Sequence, residues 1–336
     1  MQGRKFAFAV AAFALGATLA AAPRSAPASR SLVVYCPHPL DFINAIVQEF
    51  EVETRIKVEV VTAGTGELLR RIETERGDPR CDVMWGGSRA SLEIYKRYFD
   101  PYVSANEASF IGRYIEEGRC YTPFTAVPTV FMCNTNLMPA GGRPRSWADL
   151  LDPKWRGKIA FADPALSSSS FEALVNMLFA MGKGKPDDGW GYVVKFVDNL
   201  GGKLLGGSSA VYSGVANGEY AVGVTFEEAA ATYLRQGAPV GIVYPTEGII
   251  VEPDGVAVVK GAKNRDSARL FVDFVTSKNV QAKIARDLNR RSCRVDVAPA
   301  SGLPDLASVR VIPGDYRWAA ENRERILKEF EAIARR

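Results

Sequence analysis

The chain has 336 residues, 47% of them hydrophobic and 24% charged. That is enough for one large domain or two ordinary ones and excludes a disordered or fibrous chain. The single histidine, His38, excludes multi-histidine metal sites and leaves at most one place for a His-dependent triad. No two of the five cysteines form a CxxC pair, so no zinc site is indicated.

The N-terminus reads as an export signal over residues 1–28. Arg4 and Lys5 precede an apolar run from Phe6 to Ala22, and small residues follow to Ala26–Pro27–Ala28. The run is too short for a spanning helix, and no other membrane segment stands out. Export lowers the formal charge from +4 to about +1, because Arg4, Lys5 and Arg24 leave with the signal. A nearly neutral mature protein has no net field for nucleic acid or an anionic membrane, so none is expected as a partner. Any preference for anions must be local. Outside the cell, Cys120 and Cys133 are close enough in sequence to close a short disulfide loop. Alternatively, all five cysteines serve as small buried hydrophobes.

Strands and helices alternate along the chain. Leu32 to Cys36 is a short apolar strand, and Phe42, Ile43, Ile46, Val47 and Phe50 then recur at helical spacing. Ile56, Val58 and Val60 alternate as in a strand. Leu68, Leu69 and Ile72 mark a second helix, and Cys81 to Trp85 a third strand. This order implies a parallel sheet covered on both faces. The pattern restarts with a strand at Lys158–Ala162, a helix at Phe171–Met181, a strand at Tyr220–Thr225 and a helix at Glu227–Arg235. A strand at Gly255–Val259 precedes helices at Ser267–Val275 and Val280–Leu288, and one charged amphipathic helix is expected from Arg317 to Ile333. Two α/β units are the simplest reading. One comprises 31–127 with about 255–305, and the other 128–254 with about 306–336. Hinges are expected near 127–134 and 244–255.

Open sheets bind ligands beyond the carboxyl ends of their strands. The loops expected there are rich in Gly, Ser, Thr and Pro, and most run straight into a helix. Gly64–Thr65–Gly66 lets backbone approach a ligand where a helix N-terminus offers free N–H groups and partial positive charge. Ser167, Ser168, Ser169 and Ser170 form a second such start. There Ser169 and Glu172 match a capping box, leaving the other three hydroxyls for a ligand. Ser208, Ser209 and Tyr212 make a third. Ser88 follows two glycines, and Arg89 beside it either adds charge or faces solvent. His38 lies between two prolines after a strand. Glu227 opens a helix, where an acid either stabilises the dipole or accepts hydrogen bonds from ligand hydroxyls or an amine. An enzyme is not expected: there is no GxSxG elbow, no P-loop and no GxGxxG after a strand.

Three further segments carry a family likeness. They are Trp147 to Ala160 (WADLLDPKWRGKIA), Ala63 to Leu68 (AGTGEL) and Asn217 to Gly223 (NGEYAVG). With the tail Trp318 to Leu327, they resemble bacterial periplasmic solute-binding proteins of the ferric-ion type. The resemblance implies an α/β, two-lobed type II fold, with mixed sheets flanked by helices, closing on its ligand like a Venus flytrap. It also implies a monomer without cofactor or resident metal, located in the periplasm and delivering its ligand to an inner-membrane ABC permease. Iron binders of the family usually present two adjacent tyrosines, and none of the 12 tyrosines here has a tyrosine neighbour. The stretch from Phe226 to Ala229, with Tyr244 to Gly248, is closer to the branch that binds sugar phosphates and phosphonates. A small phosphorylated anion is therefore the expected ligand, with Tyr244 added to the contacts. Ferric ion, a periplasmic phosphate-ester hydrolase and a receptor docking on a sensor kinase are the alternatives.

Overall fold

A computed structural model describes residues 31–138 and 142–336; the export segment read at 1–28 lies outside them. Strand β1 (Ser31–Tyr35) leads into α1 (Leu40–Thr54). This helix buries Phe42, Ile43, Ile46, Val47 and Phe50, the stripe that the sequence spacing marks. It ends where Arg55 adopts a left-handed conformation. Then come β2 (Lys57–Val61), α2 (Thr65–Thr74), β3 (Val83–Ser88), α3 (Arg89–Tyr95) and the short β4 (Phe99–Asp100). β1 pairs in parallel with β2 and β3, as the alternation of elements predicts.

The first sheet is mixed rather than parallel. β5 (Thr122–Ala126), β10 (Pro253–Val259) and β11 (Arg291–Ser292) complete it in the order β11-β5-β10-β3-β1-β2, with every pairing beyond β3 antiparallel. β10 is buried on both faces, as a central strand must be. The second sheet has β6 (Thr129–Asn134), β7 (Ile159–Ala160), β8 (Val222–Phe226) and β9 (Val240–Val243), in the order β7-β8-β6-β9. Residues 129–134, read from the sequence as part of a hinge, thus form a fully buried strand at the heart of this sheet. The chain passes between sheets at Val127–Pro128, between β9 and β10, and after β11.

Helices α4 (Ser168–Met181), α5 (Trp190–Leu200), α6 (Ser208–Ala216) and α7 (Glu227–Arg235) cover the second sheet. α8 (Arg265–Val275) and α9 (Lys278–Leu288) pack on the first, where Phe271 meets Phe50 and Trp85 edge-on. The expected single tail helix is broken at Asn322 into α10 (Tyr316–Glu321) and α11 (Arg323–Ala334). Ala319, Ile326, Phe330 and Ile333 from these two helices return to the core of the second sheet.

The Trp147-to-Ala160 segment is structural. Trp147 is fully buried and its Nε1 donates to the Gly248 carbonyl at 3.3 Å. Glu247 accepts from the Trp147 and Ala148 amides at 2.8 and 3.0 Å. Asp152 accepts from the Lys154 amide and caps a single helical turn. All five cysteines are free, and Cys120 is not bonded to Cys133. The latter is buried in β6 of the second sheet, whereas Cys120 precedes β5 of the first. No described helix is long and apolar enough to cross a membrane.

Candidate functional site

Between the two sheets lies a cavity of about 300 Å³. Six helices begin at its wall. Pro39 precedes α1, Thr65 opens α2, Ser88 precedes α3, Ser168 and Ser169 open α4, Ser208 opens α6, and Phe226 precedes α7. Pro39, Gly64, Gly207 and Phe226 cap their helices without any side-chain hydrogen bond. Apart from the Glu227 amide, which donates to the Pro128 carbonyl, and the Glu67 amide, which donates to the Gly64 carbonyl, the first-turn N–H groups of those helices are left for water or a ligand, and the macrodipoles add partial positive charge there. Such a convergence suits an oxyanion.

The side chains supply the rest. His38 is buried, with its ring against Phe42, Trp85 and Phe124. Burial, and then the nearby Arg290, hold its pKa well below the usual imidazole range, so it is neutral. Its Nε2 lies 3.6 Å from Asp254 and makes no hydrogen bond among the described residues. Asp254 accepts from the Thr125 amide and hydroxyl, each at 2.7 Å, and from Arg290 at 2.9 Å. Burial still raises its pKa against those partners. Arg290 also donates to Glu228 at 2.6 Å, so one guanidinium serves two carboxylates. Glu252 is paired with Arg89 at 3.0 Å, and Arg89 stacks on Tyr316 at 3.7 Å.

Gly86 and Gly87 explain how β3 fits here. Both have positive φ, and a Cβ on Gly86 would meet His38 Nε2 at 2.9 Å. On Gly87 it would meet the Thr65 methyl at 2.8 Å.

The structure brings together His38, Thr65, Ser88, Ser168, Ser169, Ser208 and Tyr212 at the cavity wall. Gly64, Gly66, Ser167 and Ser209 line the adjoining cleft instead. Three expected contacts fail. Ser170 is buried and uses its amide to bond the Ser167 hydroxyl at 3.3 Å. Glu227 accepts two bonds from Arg291, at 2.7 and 2.9 Å, and a third from the Tyr244 hydroxyl. Glu227 and Tyr244 thus satisfy each other behind the wall, and neither lines the cavity. The expected Ser169–Glu172 capping box is also absent. The cap of α4 is Ser167, two residues earlier, which leaves Glu172 facing the cavity. Arg89 is not solvent-facing but buried in its pair with Glu252.

Sequence reasoning missed Glu172, Glu252, Asp254 and Arg290. Only Asp254 had a signal, being a charged residue at the edge of an apolar run.

A family model for bacterial extracellular solute-binding proteins matches residues 93–317. The chain belongs to that family. Among solved structures it is similar to the periplasmic binding protein AfuA from Actinobacillus pleuropneumoniae with exogenous fructose-6-phosphate bound. That match has 26% identity and a TM-score of 0.84, and covers 92% of this chain and 99% of that one. The putative 2-aminoethylphosphonate-binding periplasmic protein of Salmonella typhimurium is 25% identical over 75% of this chain and 74% of its own length. The Fe(3+)-binding periplasmic protein of Serratia marcescens is 25% identical over 90% and 89%. The two-lobed α/β fold read from the sequence is the fold of this family.

Proposed function

We propose that the protein is the exported substrate-binding component of an ABC importer, and that it captures a small organic anion bearing a phosphoryl group between its two lobes. The observation that carries this reading is the meeting of six helix N-termini at one cavity, in a protein whose overall charge is nearly balanced. A phosphoryl group offers several acceptor oxygens to N–H and hydroxyl donors arriving from different directions. Thr65, Ser168, Ser169 and Ser208 supply those donors. The sugar phosphate and aminophosphonate in the names of the relatives belong to the same chemical class.

The lobes would close about Val127–Pro128 and the segment between β9 and β10, which brings the α4 and α6 starts against those of α1 and α2. The closed form then docks on an inner-membrane permease. Residues 1–28 direct export, and capture involves no turnover of the ligand. Ferric ion fits less well, since Tyr212 is the only tyrosine among the lining residues and the described acids form no cluster that could hold a metal ion.

Thermal shift separates the readings. Fructose 6-phosphate or 2-aminoethylphosphonate should raise the melting temperature, by mass action on the folded state. A rise with ferric citrate alone would overturn the phosphoryl assignment. Release of phosphate from an ester would overturn the transport role.

A further inference from the structure

The cavity has a second character that the helix N-termini do not account for. Four carboxylates stand at or directly behind its wall: Glu172, Glu228, Glu252 and Asp254. Arg89 takes Glu252, while Arg290 is shared between Glu228 and Asp254. Glu172 is left over. Its Oε1 is closed off from solvent and has no hydrogen-bond partner among the described residues. Arg323 from α11 lies near but is held over the Phe171 ring at 4.1 Å, and its Nη1 is itself without an acceptor. An anion alone would leave this wall negative and the Glu172 Oε1 without a partner.

We propose that Glu172 is the specificity-determining residue of the cavity and receives a protonated amine of the ligand, which makes the ligand class an aminoalkyl phosphonate or phosphate. The assignment rests on the phosphoryl reading of the helix N-termini. It deepens that reading by naming what the other end of the ligand carries. Glu172 lies one turn beyond Ser168 along α4, a rise of about 6 Å. A short alkyl spacer covers that separation. A desolvated carboxylate gains most from a full cation, and the ammonium offers three donors where a hydroxyl offers one.

Protonation supports the geometry. Burial pushes the Glu172 carboxyl up to about 7, with Glu252 adding in the same direction, while the Ser88 hydroxyl and Arg323 pull the other way. An ammonium arriving beside it favours the ionised form, so binding releases a proton near neutrality.

The test is calorimetric titration of the exported protein with 2-aminoethylphosphonate, ethylphosphonate and fructose 6-phosphate, using wild type and E172Q. Wild type should bind the amine-bearing ligand at least about tenfold more tightly than ethylphosphonate. E172Q should lose that preference, because its amide carries no charge to receive the ammonium. Affinity for 2-aminoethylphosphonate should rise with pH through about 7 more steeply in wild type than in E172Q, where only the second ionisation of the phosphonate remains. Equal or tighter binding of ethylphosphonate or fructose 6-phosphate by wild type overturns the proposal without recourse to any variant. So does a preference for the amine that survives in E172Q. Failure of all three ligands to bind instead overturns the phosphoryl reading beneath it.

Discussion

The pair Glu227–Arg291 joins the two sheets from behind the cavity, and its removal is the sharpest test of how the lobes are held. Glu227 opens α7 on the second sheet, while Arg291 lies in β11 of the first. They are 1% and 4% exposed, and both guanidinium bonds are short, at 2.7 and 2.9 Å. Arg291 also donates to the Pro304 carbonyl at 2.7 Å, and Tyr244 donates to Glu227. Glu227→Ala leaves a buried guanidinium and a buried phenol without their acceptor. Breaking a pair of this kind from one side costs about 3–5 kcal/mol, because the remaining charge stays desolvated. For a chain this long, each kcal/mol lowers the melting temperature by roughly 2–4 °C, so a loss on the order of 10 °C is expected. The assay is thermal unfolding of the unliganded protein, with Glu227→Met, Arg291→Met and the double variant completing a cycle. The double variant should recover much of the loss, since no unpaired charge remains. A drop below about 1 kcal/mol in the single variants, or a double variant no better than either, would refute the reasoning. The ratio of affinities for different ligands should not change, because Glu227 does not line the cavity.

Glu172 gives a pH signature in the unliganded protein. Its carboxyl is neutral in both states below the ordinary value of 4.5; above it the unfolded chain ionises while the folded one resists up to about 7. Stability should therefore decline as pH rises across that window, by up to about 3 kcal/mol. Glu172→Gln should flatten this part of a chemical-denaturation profile, and an unchanged slope would deny that the group is buried as described. His38, the only histidine, should show a single imidazole resonance by NMR that titrates well below the usual imidazole range. A midpoint near the usual value would place it in solvent. Of the five thiols, only Cys120 is partly exposed, and it should be the one that reacts with a thiol reagent before denaturant is added. Gly87→Ala should cost about 1–2 kcal/mol, from positive φ and the clash with Thr65, and should weaken ligand binding. Unchanged affinity would show that Thr65 does not depend on this approach.

Much of the architecture is legible in the chain because it is local. The apolar spacing of Phe42 to Phe50 places α1, and Glu227 to Arg235 is a helix in sequence and structure alike. The runs of Gly, Ser and Thr before helices mark the stretches that bring Thr65, Gly87, Ser88, Ser168, Ser169 and Ser208 to the cavity. Those signals survive because capping and backbone freedom act within a few residues. The antiparallel insertion of β10 between β3 and β5 was not legible, because strand order depends on which edges the returning chain can cover.

The charged residues divide in the same way. From the sequence, Glu227 and Glu172 are both acids in a first turn, and spacing favours Glu227 for the ligand and Glu172 for a cap. Tertiary packing reverses the two. β11 brings Arg291 against Glu227 across a long separation in sequence and neutralises it. Ser167 takes the cap of α4 and turns Glu172 toward the cavity. A small net charge and helix starts rich in hydroxyls were determined by the chain itself, since each depends on residue identity and near neighbours. Which carboxylate stays unpaired was decided only by the fold, because a buried charge is defined by the partners that distant segments deliver to it.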